Sequence, residues 1–198
     1  MFANDAISLL DRLSIPRAHV FGVSMGGMIA QELGAHYPQR VASLILGCTT
    51  PGGRNAVQAP PESLKALQGR ADMTPEEAGR EGWKLSFSEE FIRTHQEQLE
   101  ENLKRTLEHA TPRFAYERHY QATMTLRVFK FLKDIKIPTL VVTGRDDVLI
   151  PSANSEIIAR EIPGAELKIF DNVGHGFFIS ARDPFIATMQ EFLSRQKI

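Results

Sequence analysis

Residues 18–36, AHVFGVSMGGMIAQELGAH, set a short apolar run against a helical pattern with one serine between them. Ala18 to Val23 has the length and composition of a buried strand, and Met25 to His36 reads as a helix that starts immediately after Ser24. Strand and helix backbones close tightly around such a turn. Glycine at Gly22 and Gly26 therefore has a steric reason, and Gly27 extends the tolerance into the first helical turn. Val41 to Leu46 (VASLIL) is a second near-continuous apolar run, as expected of a parallel strand covered on both faces. Two such strands joined through a helix form a βαβ unit, which places the chain in the α/β class.

The rest of the chain extends this pattern and interrupts it once. Ile7, Leu10 and Leu13 recur at helical spacing before Pro16, so an amphipathic helix ending near Ser14 precedes the first strand. From about Thr49 to Arg127, breakers such as Gly52-Gly53 and Pro60-Pro61 are followed by long polar helical segments. Thr74-Pro75-Glu76-Glu77 carries a helix-capping pattern, Thr111-Pro112 starts another helix in the same way, and Glu97 to Glu108 reads as a solvated face with pairs such as Glu100 and Lys104. Strand patterning then returns at Pro138 to Thr143 and Glu166 to Phe170, with a helix over Ser152 to Ile162 between them and a last helix capped by Asp183-Pro184. The expected organisation is a core part over residues 1–51, an inserted helical cap over 52–130, and a second core part over 131–198.

Composition narrows the function classes. Among 198 residues, 23 lysines and arginines nearly balance 24 aspartates and glutamates, which argues against a nucleic-acid surface. The longest apolar runs are far shorter than the roughly 18 residues of a membrane-spanning helix. Met1-Phe2-Ala3-Asn4-Asp5 has neither the basic start nor the apolar stretch of a secretory signal. Cys48, the one cysteine, reads as a small buried residue that fits a reducing compartment, so the expected location is cytoplasmic. His95, His109 and His119 lack the spacings of zinc sites, and neither a metal nor a cofactor is expected.

The chemistry-bearing residues gather around Ser24. Gly22-Val23-Ser24-Met25-Gly26 matches G-x-S-x-G, in which a strained strand-to-helix turn pushes the serine hydroxyl out above the sheet. The helix N-terminus behind it offers backbone N–H groups to an oxyanion, with the Met25 N–H best placed. A serine hydroxyl at neutral pH needs an imidazole to take its proton and a carboxylate to orient that imidazole. His175, on a Gly174-His175-Gly176 loop after the last strand, is the candidate base, its flanking glycines leaving the ring free to reach back. For the acid, Asp146 and Asp147 follow the third strand in GRDDVLIP, and Asp171 lies four residues before His175. Either member of the aspartate pair could serve by chemistry alone.

Taken together, GVSMGG, GRDDVLIP and NVGHGFF resemble the three catalytic signatures of the α/β-hydrolase superfamily, in that family's order and over essentially the whole chain. The resemblance implies an α/β-hydrolase fold whose acid is Asp147, with Asp146 left as a turn former. Serine as nucleophile argues against the dehalogenase and epoxide-hydrolase branches. It leaves ester, lactone, thioester or C–C hydrolysis, or cofactor-free perhydrolysis, of a small-molecule acyl substrate. Trp83, Phe87, Phe91, Phe114, Tyr116 and Tyr120 are candidates to line an acyl pocket under the cap. The resemblance also aligns the chain with the C-terminal half of a mostly parallel sheet, four strands where the family usually has eight. The family's first strands carry a loop that donates the second oxyanion hydrogen bond. Two readings follow: a serine hydrolase, or a non-catalytic fragment with an incomplete oxyanion hole. The chain alone is expected to be weakly active and prone to self-association through the open edge of its first strand.

Overall fold

The structure, a computed structural model, describes residues 2–197, so that Met1 and Ile198, at the outer ends of the two core parts, lie outside the described residues. Four strands, β1 (Ala18–Val23), β2 (Val41–Gly47), β3 (Thr139–Gly144) and β4 (Glu166–Phe170), form one parallel sheet in the order β1-β2-β3-β4. Every residue of β2 and β3 is buried, Ser43, Thr139 and Thr143 included, as strands of largely apolar sequence covered on both faces are. Alternate side chains feed two separate cores. Leu44, Leu46 and Val141 pack on one face with Ala30, Leu33, Leu132, Ile135 and Ile158. Ile45, Leu140 and Val142 pack on the other with Phe170, Phe177, Phe185 and Phe192.

The first face is covered by α1 (Phe2–Arg12), α2 (Met25–His36) and α8 (Ala153–Glu161), and the second by α9 (Phe177–Ser180) and α10 (Arg182–Ser194). The last helix begins one residue before the expected Asp183-Pro184 cap, so both residues fall in its first turn. β1 is an edge strand whose strand partner among the described residues is β2, and Phe21 is exposed on it.

Between β2 and β3 the chain forms α3 (Pro61–Gly69), α4 (Pro75–Ser86), α5 (Glu89–Thr94), α6 (Gln96–Glu108) and α7 (Arg113–Thr125). The Thr74 pattern works as a reciprocal cap: Thr74 Oγ1 accepts from the Glu77 N–H at 3.3 Å while Glu77 Oε2 accepts from the Thr74 N–H at 2.9 Å. At the other expected start, Pro112 itself occupies the capping position and α7 begins at Arg113. The polar run on α6 is not wholly solvated, since Leu99 and Leu103 are buried and Leu103 lies where a Cβ on Gly79 of α4 would stand. The pairing expected between Glu100 and Lys104 is replaced by a bidentate contact with Arg80 of α4, at 2.8 and 3.0 Å. Packing against α4 brings a planar guanidinium within reach, and its paired N–H groups match a carboxylate better than a lysine on the same helix does.

Candidate active site

Ser24 sits between β1 and α2 with φ 54° and ψ −119°, a left-handed conformation that costs a non-glycine residue about 1–3 kcal/mol. Neighbours hold it there. The Ser24 N–H donates to Gly47 O at 2.9 Å, and its carbonyl accepts from the Met28 N–H at 3.1 Å and from Thr49 Oγ1 at 2.9 Å. The hydroxyl does not cap the helix it precedes. The first N–H groups of α2, Met25 among them, have no intrahelical acceptor.

The glycines around this turn are not equivalent. A Cβ on Gly22 would stand 2.2 Å from Gly26 O, and one on Gly27 would stand 2.6 Å from Thr49 Cβ. At Gly26 nothing lies within 4 Å, so the steric reason expected there is absent; it belongs to Gly22 and Gly27. Gly22→Ala is therefore expected to prevent stable folding, because the clash is with backbone. Gly26→Ala should change stability by no more than about 1 kcal/mol, as a helical glycine-to-alanine exchange does. Urea unfolding of the two variants checks both.

The acid loop leaves β3 and presents Asp147 inward. Its side chain is fully buried, and Oδ1 accepts from the Leu149 and Ile150 N–H groups at 2.8 Å each. Oδ2 faces His175 Nδ1 at 2.7 Å. Asp146, one residue earlier, is exposed, and its N–H donates to Val173 O at 3.0 Å, tying the acid loop to the histidine loop. Asp171 is exposed and pairs with Arg145, away from the ring.

His175 follows β4 on a loop pressed against the end of α4. The Gly176 N–H donates to Ser86 O at 2.9 Å, a Cβ on Gly174 would stand 2.9 Å from that same oxygen, and one on Gly176 would stand 2.1 Å from the Phe87 ring. The flanking glycines thus serve close packing rather than the freedom of movement expected from sequence. Neither is left-handed among the described residues. Burial, the largest single influence on His175, disfavours its charge, but the hydrogen bond to Asp147 and the contact with Cys48 act together the other way. The net effect raises the ring's pKa above 6.5.

Ser24, Met25 and His175 all line one cavity of about 640 Å³, with Asp147 behind the histidine ring. No direct hydrogen bond among the described residues joins the Ser24 hydroxyl to the ring. Of the six aromatic residues expected at a pocket, Tyr116 and Tyr120 line this cavity. The others are placed elsewhere: Phe87 stacks on Phe91, Phe114 is exposed beneath Arg118, and Trp83 is half-buried on α4. Helical periodicity cannot say which face of a two-sided insertion meets the cavity. Arg70, His119 and Arg127 line it too, and among the described residues no carboxylate does.

Cys48 is the residue that sequence reading undervalued. It is fully buried, as expected, but its Sγ lies 3.9 Å from His175 Nε2. Its register carried the signal: Val23 pairs with Gly47, so Cys48, the residue after β2, lies beside Ser24, the residue after β1. Cys48, Asp147 and His175 bring potential metal-binding atoms within 4.8 Å of one another, but Asp147 and Nδ1 are already engaged with each other at hydrogen-bond distance. No helix among the described residues is long and apolar enough to cross a membrane.

This arrangement of strand-end loops defines the class, and sequence comparison agrees. The family model described as "alpha/beta hydrolase fold" matches residues 1–181, and the chain belongs to that family. It is similar to the 2-hydroxy-6-oxononadienedioate/2-hydroxy-6-oxononatrienedioate hydrolase of Burkholderia vietnamiensis, with 31% identity over 94% of this chain and 66% of that protein. It is also similar to the poly(3-hydroxyalkanoate) depolymerase of Ectopseudomonas oleovorans, with 28% identity over 96% of this chain and 65% of that one. The chain thus spans about two thirds of the length of these curated relatives. Among solved structures, a hydrolase from Pseudomonas aeruginosa PA01 superposes with a TM-score of 0.82 at 26% identity, covering 96% of this chain and 70% of the other.

Proposed function

We propose that the protein is a serine hydrolase that cleaves a carbonyl substrate by way of an acyl-enzyme. In this reading Ser24 Oγ attacks the carbonyl carbon, His175 Nε2 takes the hydroxyl proton and returns it to the leaving group, and Asp147 keeps the other ring proton on Nδ1. The Met25 N–H donates to the oxyanion, and a water molecule, deprotonated by the same imidazole, then releases the acid and restores Ser24. The helices over residues 61–125 act as the cap. The observation that carries the reading is the 2.7 Å contact of a buried carboxylate with His175, beside a cavity that the strained Ser24 also lines.

The substrate reading follows the lining. Arg70 and Arg127 face the cavity with no acidic residue among its described walls, which favours an acyl compound bearing a carboxylate. One relative is named for the hydrolysis of a dioate and another for the breakdown of a polyester. The testing experiment is active-site labelling: a fluorophosphonate probe should modify Ser24, and Ser24→Ala should abolish the modification. Labelling at another residue, or none in folded protein, would reject the serine nucleophile.

A further inference from the structure

We infer that Cys48 is a positioning residue that holds the His175 imidazole in its working orientation, an inference that rests on the serine-hydrolase reading of the same site. The placement of its sulfur carries the argument. Sγ is 3.9 Å from Nε2, 3.5 Å from the His175 carbonyl oxygen, and no more than 4.8 Å from an Asp147 carboxylate oxygen. Asp147 touches the opposite nitrogen, Nδ1, at 2.7 Å. A sulfur lying beyond Nε2, on the axis of its lone pair, would be farther from the carboxylate than the contacts of 2.7 and 3.9 Å laid end to end. It is nearer than that, so Cys48 lies against the side of the ring. The Nε2 lone pair is left free for the cavity that Ser24 lines.

The thiol therefore acts as a stop rather than as a proton acceptor. Its S–H donates to the His175 carbonyl and ties down the loop, while the sulfur blocks rotation of the ring away from Asp147. The backbone supports the same role. Cys48 has φ 35°, a left-handed conformation unfavourable for a side chain of this kind, and its N–H donates to Val142 O at 2.9 Å. Strain at a strand end is retained where neighbours over-determine it, and here it aims the sulfur at the ring. The groups facing His175 are Asp147 from the acid loop and Cys48 from the end of β2, with Arg70, Tyr116, His119, Tyr120 and Arg127 lining the cavity that it shares.

The test compares Cys48→Ala and Cys48→Ser with the full wild-type chain. Each is followed by the rate of fluorophosphonate labelling at Ser24 across pH, with thermal unfolding as a control. Cys48→Ala should label Ser24 more slowly by roughly 10- to 10²-fold, the scale of loss when a reacting group is misplaced by about 1 Å. Its pH midpoint should move downward, because a ring free to turn away from Asp147 loses part of the hydrogen bond that raises its pKa. Cys48→Ser keeps a donor of similar shape and should recover most of the rate. Wild-type rates and midpoint in both variants would overturn the inference, and so would an equal loss in both at every pH with unchanged unfolding temperatures. Complete loss of labelling from wild-type protein bears instead on the Ser24 reading, so the two failures can be told apart.

Discussion

Ser24→Ala should lower turnover of an activated ester such as p-nitrophenyl acetate by roughly 10⁶-fold, the scale seen when a triad serine is removed. The change deletes one oxygen and leaves the rest of the site in place. The turn is held by the Ser24 main chain, with bonds to Gly47, Met28 and Thr49 that alanine also makes. Left-handed φ at this position is no harder for alanine than for serine, so the unfolding temperature should stay close to that of the wild type. KM should also change little, since the walls of the 640 Å³ cavity come from many residues besides Ser24. Steady-state kinetics with both proteins decides the matter. A variant that keeps more than about a hundredth of wild-type turnover would remove Ser24 from the mechanism, because a missing nucleophile cannot be replaced by binding alone.

Asp147→Asn should cost roughly 10⁴-fold in turnover, although it preserves volume and nearly all of the local bonding. The asparagine oxygen can still accept from the Leu149 and Ile150 N–H groups. Its NH₂ then points at His175 Nδ1 and donates where the carboxylate accepted. That forces the ring proton onto Nε2, the nitrogen that in the proposed mechanism receives the proton from serine. The aspartate hydrogen bond is also a main cause of the raised pKa of His175, so the variant's pKa should fall. For a group raised in the folded state, the contribution to stability is complete below its unfolded value of about 6.5 and fades as pH rises through the folded value. Asp147→Asn should therefore lose most stability relative to wild type in acid solution and least in alkaline solution. Asp146→Asn, an exposed neighbour without contact to the ring, should cost less than about tenfold in turnover. Equal losses from the two variants, measured by kcat at matched pH, would leave Asp147 without its assigned role.

Local rules were enough for the elements that position the site. The bounds read for α2 and β4 coincide with those observed, those for β2 differ by one residue at its C-terminal end, and β3 lies one residue later than read at both ends. Largely apolar runs, a one-residue turn and a following helix leave the chain few other conformations. The serine turn, the acid loop and the histidine loop were legible for the same reason: each follows directly from a strand, so the position of the strand fixes where the loop begins.

Contacts made across the sheet and the insertion were not legible. Gly26 looked as constrained as Gly22 in a motif, but only the approach of the two backbones shows that a Cβ is excluded at one and has room at the other. Glu100 had a lysine four residues away, and it was the packing of α4 on α6 that supplied Arg80 instead. Cys48 read as one more small apolar residue, because nothing in sequence measures the distance to a histidine 127 positions later. Thus the sequence by itself determined the α/β class, the parallel strands and the loops that carry serine, aspartate and histidine, since these depend on periodicity and local turns. Tertiary structure decided that Asp147 rather than Asp146 is buried against the ring, that Tyr116 and Tyr120 reach the cavity while Phe114 does not, and that a thiol flanks the imidazole. Those outcomes depend on which side chains the closing of separate segments brings within a few ångströms, a quantity no local pattern contains.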